Sequence, residues 1–319
     1  MKKILSILAL ATVLVSCNQS HTEPLQPYDR SKLSIVCPTG APALAFYNYS
    51  SYSNFETNSD PQTGILPQMV AGQKDVVVLP TNAGMQAILN RGANYQIAAT
   101  ITFGNFYLLS MGNDANNELD TSDTILLFQK GNVPDKIFHY VYGDTYNANI
   151  HYVSAVSDAA AAANAGTFVD SESGENVVPN YVLLAQPVLQ TVLKNHESYS
   201  VYANMQEKYK EKSNNLPLFQ ASVFINKAAE PELARSFLES LKVDVEAALK
   251  DGAAISNALA DTTELKTMYG IQPSIAASLT KNGNGMGLGF AYAKENKSAV
   301  ENFLKLFNIE GVNEEVYFE

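Results

Sequence analysis

The chain has 319 residues, 46% of them hydrophobic, enough to bury the core of one large or two medium domains. Its formal net charge of −11 argues against a nucleic-acid partner, because such binding rests on Lys and Arg neutralising phosphates. After the first 16 residues no apolar run approaches the roughly 20 residues that cross a bilayer, so the body is expected to fold in water.

In chain order, Lys2 and Lys3 form a short positive segment, and an apolar stretch runs from Ile4 to Val15. That layout is a cleavable export leader over residues 1–16. It closes on Leu14-Val15-Ser16-Cys17, which resembles the bacterial lipobox, where the Cys thiol takes a diacylglycerol and becomes the new N-terminus. Cys17 is the expected lipidation site, holding the exported chain on the outer face of the cell membrane or on a periplasmic membrane surface. Residues 17–31 are polar with two prolines and read as a flexible tether. Cys37, the one other cysteine, lies in an apolar run and is expected to be a buried core residue.

The body then alternates strand-like and helix-like segments. Strands are expected at 33–37, 75–79, 95–100, 105–111, 124–128, 149–153, 180–185 and 220–225. Helices are expected at 43–49, 83–91, 134–140, 154–165 and 187–193. The remainder reads as mainly helical: 230–241, 243–250, 255–260, 275–279 and 297–307. Thr81 or Asn82 is a good N-cap and Gly92 a good helix stop. Such alternation implies an α/β architecture with parallel sheets, in two blocks followed by a helical C-terminus.

Catalytic and metal motifs are missing from the pattern. The glycine-rich run 282–289 fits neither the dinucleotide fingerprint nor the P-loop, and reads as a flexible loop. His21, His139, His151 and His196 show no metal-ligand spacing, and no G-x-S-x-G or H-E-x-x-H occurs. No cofactor and no metal is expected. What remains are small polar residues at the strand ends: Thr39 and Gly40, Thr81 and Asn82, Thr102, Gly104 and Asn105, Ser154, and Gln186. In open α/β sheets ligands sit beyond the carboxyl ends of the strands, where hydroxyls and helix N-termini hold polar groups. Each residue alone is as well explained as a helix cap; the set across five strand ends points to a binding cleft.

The segment TITFGNFYLLS at 100–110, the strand end DVVVLPTN at 75–82 and YVLLAQP at 181–187 resemble segments of ABC-transporter substrate-binding proteins. The relevant group is that of the nitrate, sulfonate, taurine and thiamine-precursor receptors. FAYAK at 290–294 and residues 300–304 look like that family's C-terminal helix region. Gln186 stands where the family commonly has Glu. The resemblance covers most of residues 32–319. It implies a type 2 periplasmic-binding fold, with two α/β lobes flanking a cleft and two hinge crossovers. Lobe one would hold 32–110 and 222–319, lobe two 112–218, with crossings near 110–112 and 218–222. It further implies a monomer that binds a small solute at the residues named above. Ligand closes the lobes, and the closed form docks on a membrane permease whose ATPase is a separate subunit. Phe103, Phe106 and Tyr47 would pack either a flat part of the ligand or the core. No Arg or Lys lies in the turn motifs apart from Arg91 at a helix end, which favours a neutral or zwitterionic solute over a doubly held anion. An enzyme on the same fold, using Cys37 or a His, and a surface sensor without transport are the alternatives.

Overall fold

A computed structural model describes residues 28–112, 119–146 and 149–319; the leader, Cys17 and the tether as far as residue 27 lie outside the described residues. The strands are β1 (Ile35–Pro38), β2 (Phe55–Asn58), β3 (Val76–Pro80), β4 (Tyr95–Thr102), β5 (Phe106–Ser110), β6 (Ile125–Phe128), β7 (Ile150–Val153), β8 (Phe168–Val169), β9 (Asn176–Val177), β10 (Tyr181–Ala185), β11 (Ser200–Asn204), β12 (Ala221–Asn226) and β13 (Leu288–Tyr292). They build a six-stranded sheet in the order β13-β4-β12-β3-β1-β2 and a five-stranded sheet in the order β11-β5-β10-β6-β7, with β8 and β9 as a separate hairpin. Helices cover both sheets, giving the two-lobed α/β fold expected from the strand and helix alternation.

The sheets are mixed rather than parallel. β1 runs parallel to β2 and β3, and β6 parallel to β7 and β10, as right-handed β-α-β units dictate. β12 is antiparallel to both its neighbours, and β5 to both of its own. These strands carry the chain between the sheets, so they enter from the opposite end and run backwards against the parallel set.

Other local expectations shift for identifiable reasons. β5 pairs in the second sheet, so the chain leaves the first sheet at 103–105, not at 110–112. Residues 288–292 form strand β13 against β4, where a loop and then a helix were expected. The segments expected as helices 230–241 and 243–250 are one helix, Pro231–Asp251, since no breaker interrupts them. Tyr28 to Arg30 are not tether. The Tyr28 ring meets Phe237 edge-on at 5.6 Å, and Arg30 holds both Asp244 carboxylate oxygens at 2.9 and 2.7 Å. The Asp244 side chain is 8% exposed, and a carboxylate that buried requires such a partner.

Alternation along the first sheet's strands makes two cores. Ile35, Cys37, Val76 and Val78 face Phe46, Phe237 and Tyr269. Val36, Val77 and Leu79 face Met85 and Phe303, and that cluster continues into the second sheet through Leu108, Leu109 and Leu183. The helix Thr81–Arg91 lies so close to β12 that a Cβ on Gly84 would sit 2.2 Å from the fully buried Phe224 ring. Gly84→Ala is therefore expected to destabilise the protein by about 1–3 kcal/mol through overpacking, although Ala is the better helix former by about 1 kcal/mol. Urea unfolding of the variant measures it, and a gain in stability would refute the close approach.

Candidate functional site

The two halves are joined at a narrow crossing. Phe103 packs edge-on against Phe219 of the returning segment, ring centres 5.3 Å apart. Between them Gly104, at φ 95°, faces Gln206 and Leu218, and a Cβ there would lie 2.5 and 2.7 Å from their side chains. The glycine-rich run is not a loose loop: the Gly287 carbonyl accepts the Phe103 N–H at 2.7 Å, and a Cβ on Gly287 would fall 1.9 Å from the Gly104 carbonyl oxygen. Backbone meets backbone here, which only glycine permits.

On one side of this crossing the ends of β3, β4 and β12 hold a group of polar residues. Thr81 is fully buried, its hydroxyl 2.7 Å from Ser222 Oγ, which in turn lies 2.8 Å from Thr100 Oγ1. This chain of three hydroxyls satisfies itself inside the fold. Its neighbours do not. Asn82 is 9% exposed and Thr102 1% exposed, and Asn82 Oδ1 and Thr102 Oγ1 are enclosed without a hydrogen-bond partner. Gln220 lies between them, its carbonyl taking the Thr81 N–H at 3.0 Å and its N–H given to the Thr102 carbonyl at 3.1 Å. Gln220 Oε1 is likewise enclosed and unpartnered. Sequence reasoning missed Gln220 as a site residue; the available signal was a polar residue directly before an apolar strand that starts at a lobe crossing. Buried polar atoms are nearly always paired, so these two amide oxygens and one hydroxyl are exceptions within the fold.

On the other side, Asn105 ties the crossing to the end of β10. Its Nδ2 donates to the Gln186 carbonyl at 2.9 Å, and the Gln186 N–H donates back to the Asn105 carbonyl at 3.0 Å. Gln186 opens onto a groove of about 710 Å³ between the helix Val188–Asn195 and the helix Pro273–Lys281, lined from opposite sides by Gln190 and Lys194 and by Ser274, Ser278 and Asn282. Gly285 of the glycine-rich run closes its end, with the Tyr107 hydroxyl 3.5 Å from its carbonyl.

The remaining expected site residues fall elsewhere. Thr39 and Gly40 follow β1, but their N–H groups go to the Asn58 and Tyr269 carbonyls at 3.1 and 2.7 Å. Ser154 is exposed beyond the edge strand β7 and does not line the groove. Thr81, Asn82 and Thr102 thus lie at the ends of β3 and β4, and Gly104, Asn105 and Gln186 at the crossing; Thr39, Gly40 and Ser154 lie elsewhere. Tyr47 and Phe106 are core residues, the first bonding the Asp244 carbonyl and the second packing near Phe128. Cys37 is fully buried, its thiol donating to the Pro38 carbonyl at 3.4 Å, and burial pushes its pKa up. A thiol so placed is a poor nucleophile.

Among the described residues no group of three or more His, Cys, Asp or Glu side chains could hold a metal ion. His151 and His139 instead pair with carboxylates in the second lobe. His151 Nδ1 lies 2.7 Å from Asp170 Oδ2, pinning the β8–β9 hairpin to β7. That bond, with the Ser173 and Glu172 N–H groups, holds the Asp170 carboxyl well below the usual carboxylate range.

No protein-family model matches the chain and no curated protein matches it in sequence. Solved structures do match its fold. They include an ABC transporter protein from Parabacteroides distasonis, TM-score 0.63 and 17% identity over 86% of this chain and 91% of that one. A ligand-binding component of an ABC-type import system from Staphylococcus aureus, solved with zinc, matches at TM-score 0.60 and 9% identity over 89% and 95%. The periplasmic aliphatic sulphonate binding protein of Escherichia coli matches at TM-score 0.59 and 12% identity over 86% and 85%. The architecture is that of periplasmic-binding proteins.

Two outcomes follow from these placements. In a Cys17→Ser background, a thiol reagent is expected to leave Cys37 unmodified in the folded protein and to modify it fully in denaturant; rapid labelling of the native state would contradict its burial. Because the folded Asp170 pKa is depressed, its ionised form adds stability above the unfolded value of about 4, and that contribution is lost as pH falls through the folded value. Asp170→Asn is accordingly expected to lower the melting temperature at pH 7, with the gap to the parent closing only below about pH 4. A gap independent of pH would assign the loss to packing instead.

Proposed function

We propose that this protein is the solute-binding component of an ABC importer. It is lipid-anchored through Cys17 and captures a small polar solute between its lobes for delivery to a membrane permease with a separate ATPase subunit. The observation that carries the reading is the crossing itself, where three enclosed polar atoms lie without a partner at the strand ends next to the segments that join the two sheets. Only the segment 103–105 and the return between β11 and β12 join the two sheets, an arrangement suited to hinge closure. Closure would press Gln186 and Gln190 toward Ser274 and Ser278 across the groove. The fold likeness to ABC import components supports the transport role.

Anchoring rests on the leader and the Leu14-Val15-Ser16-Cys17 motif. No helix among the described residues is long and apolar enough to cross a membrane, so a membrane-held body would depend on the lipid. The rival enzymatic reading loses its nucleophile to the burial of Cys37.

Two measurements check the proposal. Metabolic labelling with palmitate is expected to mark the parent chain and not Cys17→Ser, and the variant is expected to leave the membrane fraction; persistence of the variant there would refute lipid anchoring. Thermal-shift screening against a broad library of polar metabolites is expected to return a stabilising ligand, with calorimetry giving one site per chain. Silence across the library, or conversion of a compound instead of simple binding, would overturn the receptor reading.

A further inference from the structure

The chemistry of the crossing narrows the solute, given the receptor reading above. We propose that the solute is uncharged at the crossing and enters it as a hydrogen-bond donor, through N–H or O–H groups, rather than as an anion.

The chain holds three arginines, and all three are placed away from the crossing. Arg30 is spent on both oxygens of Asp244. Arg235 bonds Glu232 at 2.5 Å and the Glu319 carbonyl at 3.3 Å. Arg91 ends the helix whose first turn carries Asn82, about 15 Å away along the helix axis. No guanidinium fork is therefore available to hold a sulfonate or carboxylate with two parallel bonds. Lys194 is the one charged residue lining the groove; it stands exposed in the last turn of its helix, where an ion pair with solvent access contributes little.

Against this missing cation stand two amide oxygens, which can only accept, and one hydroxyl. Asn82 Oδ1, Thr102 Oγ1 and Gln220 Oε1 are enclosed and unpartnered, on residues locked together by the Thr81-to-Gln220 and Gln220-to-Thr102 backbone bonds. An acceptor kept from water without a donor costs free energy, and an incoming N–H or O–H removes that cost. An oxyanion carries no donor of its own: it could accept from the Thr102 hydroxyl but would leave the Asn82 and Gln220 amide oxygens unpaired. Thr102 directly precedes the segment 103–105 that joins the two sheets, so on the receptor reading opening would uncover the three atoms and closure would seal a donor-bearing solute over them.

The test uses matched pairs that differ by exchanging a charge for N–H donors: acetate and acetamide, ethanesulfonate and ethanesulfonamide, benzoate and benzamide. Each is titrated at pH 7 into the full chain in detergent by calorimetry. The amide of at least one pair is expected to bind ten-fold or more tightly than its anion. Asn82→Asp, which can only accept, is expected to keep that preference, and Thr102→Val and Asn82→Leu to reduce it ten-fold; circular dichroism confirms that each variant folds. Anions binding as tightly as their amides in every pair that binds, or a preference untouched in Thr102→Val and Asn82→Leu alike, overturns the donor assignment while leaving the receptor reading in place. No heat from any probe at millimolar concentration overturns the assignment and counts against the receptor reading as well.

Discussion

The whole arrangement depends on how closely two backbones approach at the lobe crossing. Gly104 and Gly287 touch without side chains, and the Phe103 N–H reaches the Gly287 carbonyl at 2.7 Å. That contact continues the pairing of β13 with β4, in which Leu288 faces Thr102, into the segment that leads on to β5. It also sets the glycine-rich run beside Gln186, and so makes the run a wall of the groove. Everything polar in the site is arranged around this join. A side chain at 104 would collide with Gln206 and Leu218, and one at 287 with the Gly104 carbonyl.

Two kinds of buried polar group meet there, and they are used differently. The Thr81–Ser222–Thr100 hydroxyls, all fully buried, satisfy one another across three neighbouring elements and hold the helix Thr81–Arg91 on the sheet. One residue beyond Thr81 and two beyond Thr100, Asn82 Oδ1 and the Thr102 hydroxyl have no partner. The first set is structural polarity, closed upon itself; the second is polarity left for something else. Distance along the sequence does not separate the two, since Thr81 and Asn82 are adjacent. What separates them is β12, which offers Ser222 to the Thr81 hydroxyl and no partner to Asn82 Oδ1.

Most of the α/β alternation was legible because its elements carry their own signals. β3 is a continuous apolar strand, and the following helix stops at Gly92, whose φ of 69° only glycine takes without strain. The burial of Cys37 and the core packing of Tyr47 could likewise be read from an apolar run and an aromatic cluster. The elements missed share a feature: their stability comes from partners far along the chain. β2 is a polar four-residue edge strand held by β1, and β13 follows a run of glycines and exists through pairing with β4. Tyr28 to Arg30 look like linker in isolation and are held by Phe237 and Asp244, more than 200 residues away.

The sequence by itself determined the α/β class, the scarcity of cationic side chains near the strand ends, and the residue types from which a polar cleft would be built, and it carries the leader-like segment and Cys17 motif on which the proposed anchor rests. Those properties are local or compositional, and periodicity and residue chemistry suffice to read them. Only the tertiary structure decided which strand-end residues converge. It sent the Thr39 and Gly40 N–H groups to neighbouring carbonyls, left Ser154 at an edge, enclosed Thr81 in a hydroxyl chain, and added Gln220. It also moved the first crossing to 103–105, because β5 gains its hydrogen bonds from β10 and β11 rather than from the strands that precede it. Pairing across long separations is settled by which partners can close every backbone hydrogen bond at once, and that condition is not written in any one segment.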